Sequence, residues 1–241
     1  MMAPLGLIES GAAAAVCATA GVLAYGVRAP SASLFAPSVC RGVNTRSAIA
    51  LTFDDGPSES TPNVLEILAR YGAPATFFQC GANVRRLPSV AREVTAAGHE
   101  IGNHTDTHPM LHFKTRDFIY RQVAAAQETI ERIAGARPRY FRAPYGVRWF
   151  GLRAVQRRLD LIGVMWTTLA LDWKWPAERV VARLMRGAAN GSILCLHDGR
   201  ALRTGPDIGV TLQVLGEVLP KLMEKGFHFE KVTDILCPTK N

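Results

Sequence analysis

The sequence lacks the cysteine motif of a thiolate metal site and the motifs of a nucleic-acid-binding protein. Its five cysteines include no CxxC pair, so a metal site built from thiolates is not supported. No nucleic-acid-binding motif accompanies the net charge of +8, and we expect no nucleic-acid partner. The positive charge is typical either of a solvated basic surface or of one that attracts anionic polymers or membranes. No internal repeat is present, and the only low-complexity tract is an N-terminal alanine run.

Length and composition indicate one globular domain. A chain of 241 residues can bury a full core, and barrels of this size are often undivided. The apolar fraction of 48% and the charged fraction of 20% are ordinary for a globular protein and argue against long disordered regions. We expect a monomer.

The N-terminal segment differs from the rest of the chain. Residues 10–27 carry no charge and are rich in alanine, and Ala18-Thr19-Ala20 has the pattern of a signal-peptide cleavage site. The apolar stretch is also close to the length that spans a bilayer core. No Lys or Arg precedes it, and Glu9 interrupts its start, so the usual positive n-region is missing. We interpret residues 1–27 as a signal peptide or a membrane anchor, which predicts an exported or membrane-anchored protein of the cell envelope or extracellular space.

Residues 28–46 are rich in Pro and Ser and are typical of a linker, which leaves residues 47–241 as the folded domain. Cys40 and Cys237 flank that domain and could form a disulfide in an oxidising compartment, or could be two unrelated thiols. Cys195 lies in an apolar run, where a free cysteine behaves as a small hydrophobe.

Short apolar runs alternate with amphipathic stretches after the linker. The predicted strands are Ala48–Phe53, Ala75–Cys80, His99–Gly102, Arg139–Phe141, Leu161–Trp166, Ser192–Leu196 and Phe227–Val232. The predicted helices are Thr61–Tyr71, Ser89–Ala97, Thr115–Ile133, Gly151–Leu159, Ala177–Ala188 and Thr211–Lys225. Strands that alternate with helices predict an α/β fold with a parallel sheet, and seven strands suit a barrel-like closure.

The residues whose side chains could act as acids, bases or ligands lie where these strands end. Asp54-Asp55 follow the first strand and His104 and His108 the third, while Arg142, Pro144 and Tyr145 follow the fourth, Asp172-Trp173 lie after the fifth, and His197 ends the sixth. The carboxyl ends of barrel strands are where α/β barrels assemble their active sites. This coincidence predicts an enzyme.

Two histidines four residues apart could converge on a divalent metal ion, and an adjacent pair of carboxylates could add a third ligand and a base. Such a site suits Zn²⁺ and also accepts Co²⁺, Ni²⁺ or Mn²⁺. The alternative for Asp54-Asp55 is a turn in which an aspartate caps the next helix. The alternative for His104 and His108 is a pair of histidines without a metal.

The other strand-end groups have acid–base and binding chemistry. His197 could donate a proton to a leaving group, and Arg142 could keep a carboxylate ionised and oriented. Asp172 could orient a histidine, and the flat face of Trp173 could stack on a sugar ring. The corresponding alternatives are a histidine bonded at a strand end, an arginine of the basic surface and a tryptophan packed in the core.

Residues 47–235 contain five motifs in this order: Thr52–Pro57, His104–His108, Arg142–Tyr145, Asp172-Trp173 and Leu194–His197. These motifs and their order resemble those of the polysaccharide deacetylase family, the NodB homology domain of carbohydrate esterase family 4. The resemblance implies a distorted (β/α)7 barrel of the NodB-like type in a single domain behind the N-terminal hydrophobic segment. It also implies a hydrolase that acts on linear amides, or on acetyl esters, of an acetylated glycan such as peptidoglycan or chitooligosaccharide.

The resemblance further implies a role for each matched residue. Asp55, His104 and His108 would bind the metal, Asp54 would be the catalytic base, oriented by Arg142, and His197 would be the general acid, held by Asp172. The Tyr145 N–H, in the turn after Pro144, would stabilise the oxyanion, while Trp173 and Leu196 would line the acetyl pocket. Two positions depart from the family pattern: Ala143 stands where many relatives have Pro, and Leu169 where many have Asp. We therefore expect an altered subsite in an active enzyme.

Two alternatives to this function remain at the level of sequence. One is a related C–N hydrolase, a deformylase or deacetylase that acts on a lipid-linked sugar or a small cyclic amide. The other is a noncatalytic glycan-binding barrel, against which the intact Asp54, Asp55 and His197 argue.

Overall fold

The computed structural model describes residues 5–237, with side chains from residue 16 onward. Within that range the helices are α1 Leu5–Arg28, α2 Thr61–Arg70, α3 Gly81–Arg86, α4 Pro88–Ala96, α5 Arg116–Ala134, α6 Leu152–Leu159, α7 Ala177–Gly187, α8 Gly209–Glu224 and α9 Val232–Ile235. The strands are β1 Ser38–Val39, β2 Ala48–Asp54, β3 Ala75–Gln79, β4 Glu100–Asn103, β5 Tyr140–Phe141, β6 Ile162–Val164, β7 Thr168–Leu169, β8 Ser192–His197 and β9 His228–Phe229. Residues 1–4 of the predicted leader and 238–241 of the predicted domain lie outside the described residues.

The strands form one parallel sheet that curls into a partly open barrel. Their order is β1-β6-β5-β4-β3-β2-β8-β7, and β9 adds beside the start of β2. Parallel neighbours need crossover connections, and the intervening helices supply most of them. This arrangement confirms the predicted α/β class and the single barrel-like domain. In the described part of the chain, β1 and β7 stand at opposite ends of the strand order and do not pair with each other.

Strand β2 lies in the middle of the sheet and is buried along its whole length. Leu51 packs into the largest core cluster, beneath the outer helices, whereas Ala50 packs into a separate cluster inside the barrel. Because side chains alternate along a strand, Thr52 and Asp54 lie on the same inner face as Ala50. The polar groups at the end of β2 therefore point to the barrel interior, and the apolar ones hold the helices.

Some short elements differ from the prediction. The predicted strand Phe227–Val232 is instead the two-residue strand β9 followed by helix α9, whose first N–H, from Val232, donates to the Thr76 hydroxyl at 2.9 Å. Strand β7 and helix α3 were not predicted. Elements of two to six residues contain too little periodicity to be recognised from the sequence.

The Pro/Ser-rich segment 28–46 packs against the barrel. Phe35 and Ala36 are buried, and β1 pairs with β6 through Ser38 and Val39. The buried guanidinium of Arg148 donates to backbone carbonyls of this segment. The described cysteines form no disulfide bond. Among residues 5–237, no helix combines the length and the apolar character needed to cross a membrane.

Candidate active site

A cleft of about 1060 Å³ opens at the carboxyl edge of the sheet. Its wall contains eight residues predicted from the sequence: Asp54, Asp55, His104, His108, Tyr145, Asp172, Trp173 and His197. Strand register explains part of this convergence, because Asp54 and His197 are direct partners on the neighbouring strands β2 and β8. The structure thus brings the candidate base and the candidate acid to the same edge.

Asp55, His104 and His108 converge on one point. The Asp55 Oδ1 atom lies 3.4 Å from His104 Nε2 and 3.0 Å from His108 Nε2. His104 Nδ1 donates to the Arg142 carbonyl at 2.8 Å, which fixes the tautomer and leaves Nε2 free to bind a metal. Burial raises the pKa of Asp55, but the hydrogen bonds with the two histidines outweigh this effect and hold its pKa well below 3.8. The carboxyl group is therefore ionised, as a metal ligand must be.

The backbone is strained at these ligands. Asp55 and His108 adopt left-handed φ angles of 76° and 56°, which are uncommon for residues other than glycine. Two hydrogen bonds hold the turn that carries His104 and His108. Asn103 Oδ1 accepts from Thr105 N at 2.9 Å, and the Thr105 hydroxyl accepts from His108 N at 3.1 Å. At the other ligand, Asp55 Oδ2 accepts from Ala201 N at 2.8 Å. These bonds hold the candidate ligands in backbone conformations that are uncommon for residues other than glycine.

Asp54 is held by a buried cation. The fully buried Arg142 donates from Nη1 to Asp54 Oδ1 at 2.7 Å and to the Thr52 hydroxyl at 2.7 Å. Its remaining donors bond to backbone carbonyls, and its guanidinium stacks 4.1 Å from the centre of the Phe78 ring. The Cys195 thiol donates a hydrogen bond to Asp54 Oδ2 at 3.4 Å. Burial, and then the charge of Asp54, raises the pKa of Cys195 well above 9.0, so the thiol stays protonated and is a donor.

His197 and Asp172 form the opposite side of the site. His197 Nδ1 lies 2.8 Å from Asp172 Oδ1, and Asp172 Oδ2 accepts from the His197 backbone N–H and from the Thr211 hydroxyl. Burial lowers the pKa of His197, but the charge and hydrogen bond of Asp172 outweigh it and raise the pKa to about 9. The imidazole is therefore protonated near neutral pH. The Trp173 ring packs edge-on against it, with 4.6 Å between ring centres.

The two sides approach each other closely. A carboxylate oxygen of Asp54, the Cys195 sulfur and a ring nitrogen of His197 all lie within 4.8 Å of one another. This second group is a poor metal site, because the Arg142 cation is already bound to Asp54 and the thiol is protonated. It is suited to proton transfer at a substrate placed between the two residues.

Asp198 packs against the turn at Gly56, directly after Asp54-Asp55. It is fully buried, and its Oδ2 accepts from the Thr61 hydroxyl at 2.6 Å. Burial raises its pKa to about 7. A Cβ atom on Gly56 would lie 2.2 Å from Asp198 Oδ2, so only glycine fits directly after Asp54-Asp55.

Like Arg142, the predicted residues Pro144 and Leu196 lie behind the wall of the cleft. Both are buried and do not line the cleft, and Leu196 belongs to the large outer core cluster. Tyr145, next to Pro144, reaches the cleft with a left-handed φ of 58° and packs against the His108 ring at 4.7 Å. Leu169, where many relatives carry an acid, also lines the cleft.

Comparison with known proteins agrees with this geometry. A polysaccharide deacetylase family model matches residues 41–163. The chain is 38% identical over 203 residues to a chitooligosaccharide deacetylase of Azorhizobium caulinodans, covering 79% of this chain and 95% of that protein. Among solved structures, a peptidoglycan N-acetylglucosamine deacetylase is 30% identical with a TM-score of 0.75, and the match covers 81% of this chain and 91% of the other.

A further similar structure is a family 4 carbohydrate esterase pseudoenzyme from Bacillus anthracis. It is 27% identical with a TM-score of 0.76, and the match covers 83% of this chain and 69% of the other. These likenesses confirm the predicted distorted (β/α)7 barrel. The chain belongs to the polysaccharide deacetylase family and is a hydrolase of that class.

Proposed function

We propose that this protein removes N-acetyl groups from an amino-sugar glycan such as peptidoglycan or chitooligosaccharide, in a reaction that requires a divalent metal. The observation that supports this proposal most is the arrangement of three groups around one cleft. A ligand triad, a carboxylate base held by arginine and a protonated histidine are the components that hydrolysis of an amide needs.

Asp55, His104 and His108 would hold the metal. Bonds of 2.0–2.1 Å at tetrahedral angles place ligand atoms about 3.3 Å apart. The measured separations of 3.4 and 3.0 Å from the Asp55 oxygen are close to this value. Two imidazoles and one carboxylate suit Zn²⁺ and also accept Co²⁺, Ni²⁺ or Mn²⁺. When bound, the metal would supply Lewis acidity toward water and the amide carbonyl.

The other residues would divide the proton transfers. Asp54 would accept a proton from the attacking water, and Arg142 would hold it in position. The Tyr145 N–H would donate to the oxygen that develops negative charge. His197, held by Asp172, would protonate the departing amine, so that acetate leaves and a free amine remains on the sugar. Trp173 would form one wall of the acetyl pocket.

The second candidate function is glycan binding without hydrolysis. The reason to consider it is that one of the similar structures is a pseudoenzyme. Against it stand the Arg142–Asp54 ion pair at 2.7 Å and the protonated His197, which a binding module would not need.

The test is product analysis on a small glycan panel. Chitooligosaccharides, peptidoglycan fragments and acetylxylan would be incubated with the protein and Zn²⁺ or Co²⁺, and with a chelator, and the products examined by mass spectrometry. We expect metal-dependent loss of acetyl groups, abolished in Asp54→Asn and retained in Asp207→Asn, a matched variant at an exposed position of the same cleft. Tight glycan binding with no acetate release under any metal would instead support the noncatalytic alternative.

We also propose that the protein acts outside the cytoplasm, as an exported or membrane-attached monomer. Residues 1–27 would be the export or attachment segment, residues 28–46 would connect it, and residues 47–241 would be the catalytic domain. The support is the uncharged stretch 10–27 together with the envelope polymer named for a similar deacetylase. Cell fractionation that recovers the protein only from the cytoplasm would contradict this proposal.

A further inference from the structure

Four aromatic side chains and one leucine form a cluster at the surface, in which three members are exposed, Trp149 is half-buried and Phe35 is buried. We define the aromatic patch as Leu34, Phe35, Phe113, Trp149 and Phe150. Phe113 is 78% exposed, Phe150 61% and Leu34 53%. The rings touch one another, with centre distances of 4.8 Å for Phe113–Trp149, 5.1 Å for Trp149–Phe150 and 4.7 Å for Phe35–Phe150. Single exposed hydrophobic residues are ordinary, but a contiguous exposed aromatic group marks an interaction surface.

The patch is preformed. Its three segments are remote in sequence: polar bonds join residues 27–33 to residues 148–153, and Phe113 contacts them through its ring contact with Trp149. The buried Arg148 guanidinium donates to the carbonyls of Ala29 and Ala32, and its backbone N–H donates to Val27 O at 3.0 Å. Arg153 Nη2 donates to Ser33 O at 2.9 Å. The exposed rings are therefore anchored to the barrel and do not belong to a loose terminus.

The surroundings of the patch are basic. Lys114, Arg116 and Arg153 are exposed next to its rings in sequence, and a Cβ atom on Gly151 would touch Arg116, which places that arginine beside Phe150. The sequence has no Asp or Glu from residue 10 to 53 or from residue 132 to 159, the segments that supply four of the five patch residues. Asp117 is the acid nearest to Phe113 in sequence, and it faces Arg116 at 3.7 Å.

We propose that the aromatic patch docks on an anionic phospholipid surface. Aromatic side chains enter the interfacial region of a bilayer, while flanking Lys and Arg contact acidic headgroups. A second copy of this chain fits less well, because a symmetric dimer would bring the same cations face to face. A glycan also fits less well, because three of the four ring contacts are edge to face and the nearest acid in sequence, Asp117, faces Arg116.

The patch residues lie close in sequence to residues that line the cleft. Tyr145 and Gly146 line the cleft, and Arg148 and Trp149 follow within the same segment. Arg28, at the end of α1, also lines the cleft and directly precedes the carbonyl that Arg148 holds. Docking through the patch would keep this side of the cleft close to the bilayer.

The experiment uses the full chain and vesicles of phosphatidylcholine that contain phosphatidylglycerol, with brominated acyl chains as fluorescence quenchers. Trp149 is the only patch tryptophan, whereas Trp166, Trp173 and Trp175 line the cleft. We expect lipid-dependent quenching that disappears in Trp149→Phe. This readout reports insertion of the patch even if α1 also binds the vesicles.

Three further comparisons complete the test. Phe113→Ser with Phe150→Ser should reduce vesicle partitioning, and Met223→Ser, at an exposed residue of α8, should leave it unchanged. Lys114→Gln should weaken binding about fivefold, the factor expected for one cation near an anionic surface. Acetate release from a small soluble glycan should stay unchanged, which checks the fold of each variant.

Several results would overturn the proposal: no quenching in the natural chain, equal quenching in Trp149→Phe, or equal binding to vesicles of phosphatidylcholine alone. Patch-dependent dimerisation without vesicle binding would assign the surface to a second copy instead.

Discussion

Replacing Asp172 with asparagine removes the charge that keeps His197 protonated. In the native site, burial lowers the pKa of His197, and the Asp172 charge and hydrogen bond raise it to about 9. The difference between this value and the ordinary 6.5 corresponds to about 3 kcal/mol. Without that charge, burial lowers the pKa of His197 against only the smaller raising effects of the Asp55 and Asp54 charges, so in Asp172→Asn the pKa should fall from about 9 toward the ordinary 6.5.

The consequence for activity depends on pH. At pH 8 a histidine with a pKa of about 9 is roughly nine-tenths protonated, whereas one with the ordinary pKa of 6.5 is protonated in about 3% of molecules. If His197 is the general acid, kcat/KM at this pH should fall by up to about 30-fold from protonation alone. The decrease should be smaller at lower pH. A pH profile of acetate release, measured with saturating metal, separates this effect from a uniform loss.

The same ion pair contributes to stability. Because the folded pKa of His197 lies above the unfolded value, its contribution is fully present below about pH 6.5 and is lost as the pH rises through about 9. Asp207→Asn is the matched control, since it removes one exposed carboxylate from the cleft without touching His197. An alkaline limb of kcat/KM that stays at the same pH in Asp172→Asn would refute the assigned role.

Three other substitutions test separate parts of the account. Asp55→Asn should weaken Zn²⁺ binding at least about tenfold by calorimetry, with Asp160→Asn, at an exposed residue, as the control; unchanged affinity would remove Asp55 from the ligand set. Arg142→Met leaves Asp54 buried without its cation and should cost about 3–5 kcal/mol in urea unfolding; a loss under about 1 kcal/mol would mean that the pair is not desolvated as described. Thr115→Ala removes the side-chain cap of α5 and should lower stability by about 1 kcal/mol, and no change in the denaturation midpoint would contradict that capping role.

The sequence was sufficient to predict where the site lies. Parallel strands that alternate with helices have their carboxyl ends at one edge, so the strand-end positions of Asp54, His104 and His197 predict their convergence. The structure adds the register that makes Asp54 and His197 direct partners. It also shows Asp55 between His104 and His108, a choice between two adjacent carboxylates that residue spacing alone left open.

Other parts of the site depend on contacts that sequence patterns do not contain. Thr211 reaches Asp172 from helix α8, and Asp198 packs against the turn at Gly56, with no local signal for either contact. Cys195 was interpreted as a small hydrophobe, yet it donates to Asp54. Strand alternation could have indicated this role, because Cys195 lies two residues before His197 and so shares its face. The packing of residues 28–46 was also missed, since Pro and Ser content resembles that of a linker whether or not a segment is docked.

The most direct test of the central claim is a metal titration of acetate release. Protein freed of metal by a chelator would receive increasing Zn²⁺ while acetate is measured from an acetylated chitooligosaccharide or peptidoglycan fragment. The triad of Asp55, His104 and His108 predicts that activity is absent at first and rises until one zinc is bound per chain. Acetate release that is the same before and after metal removal would contradict the claim, as would the absence of release at any metal content.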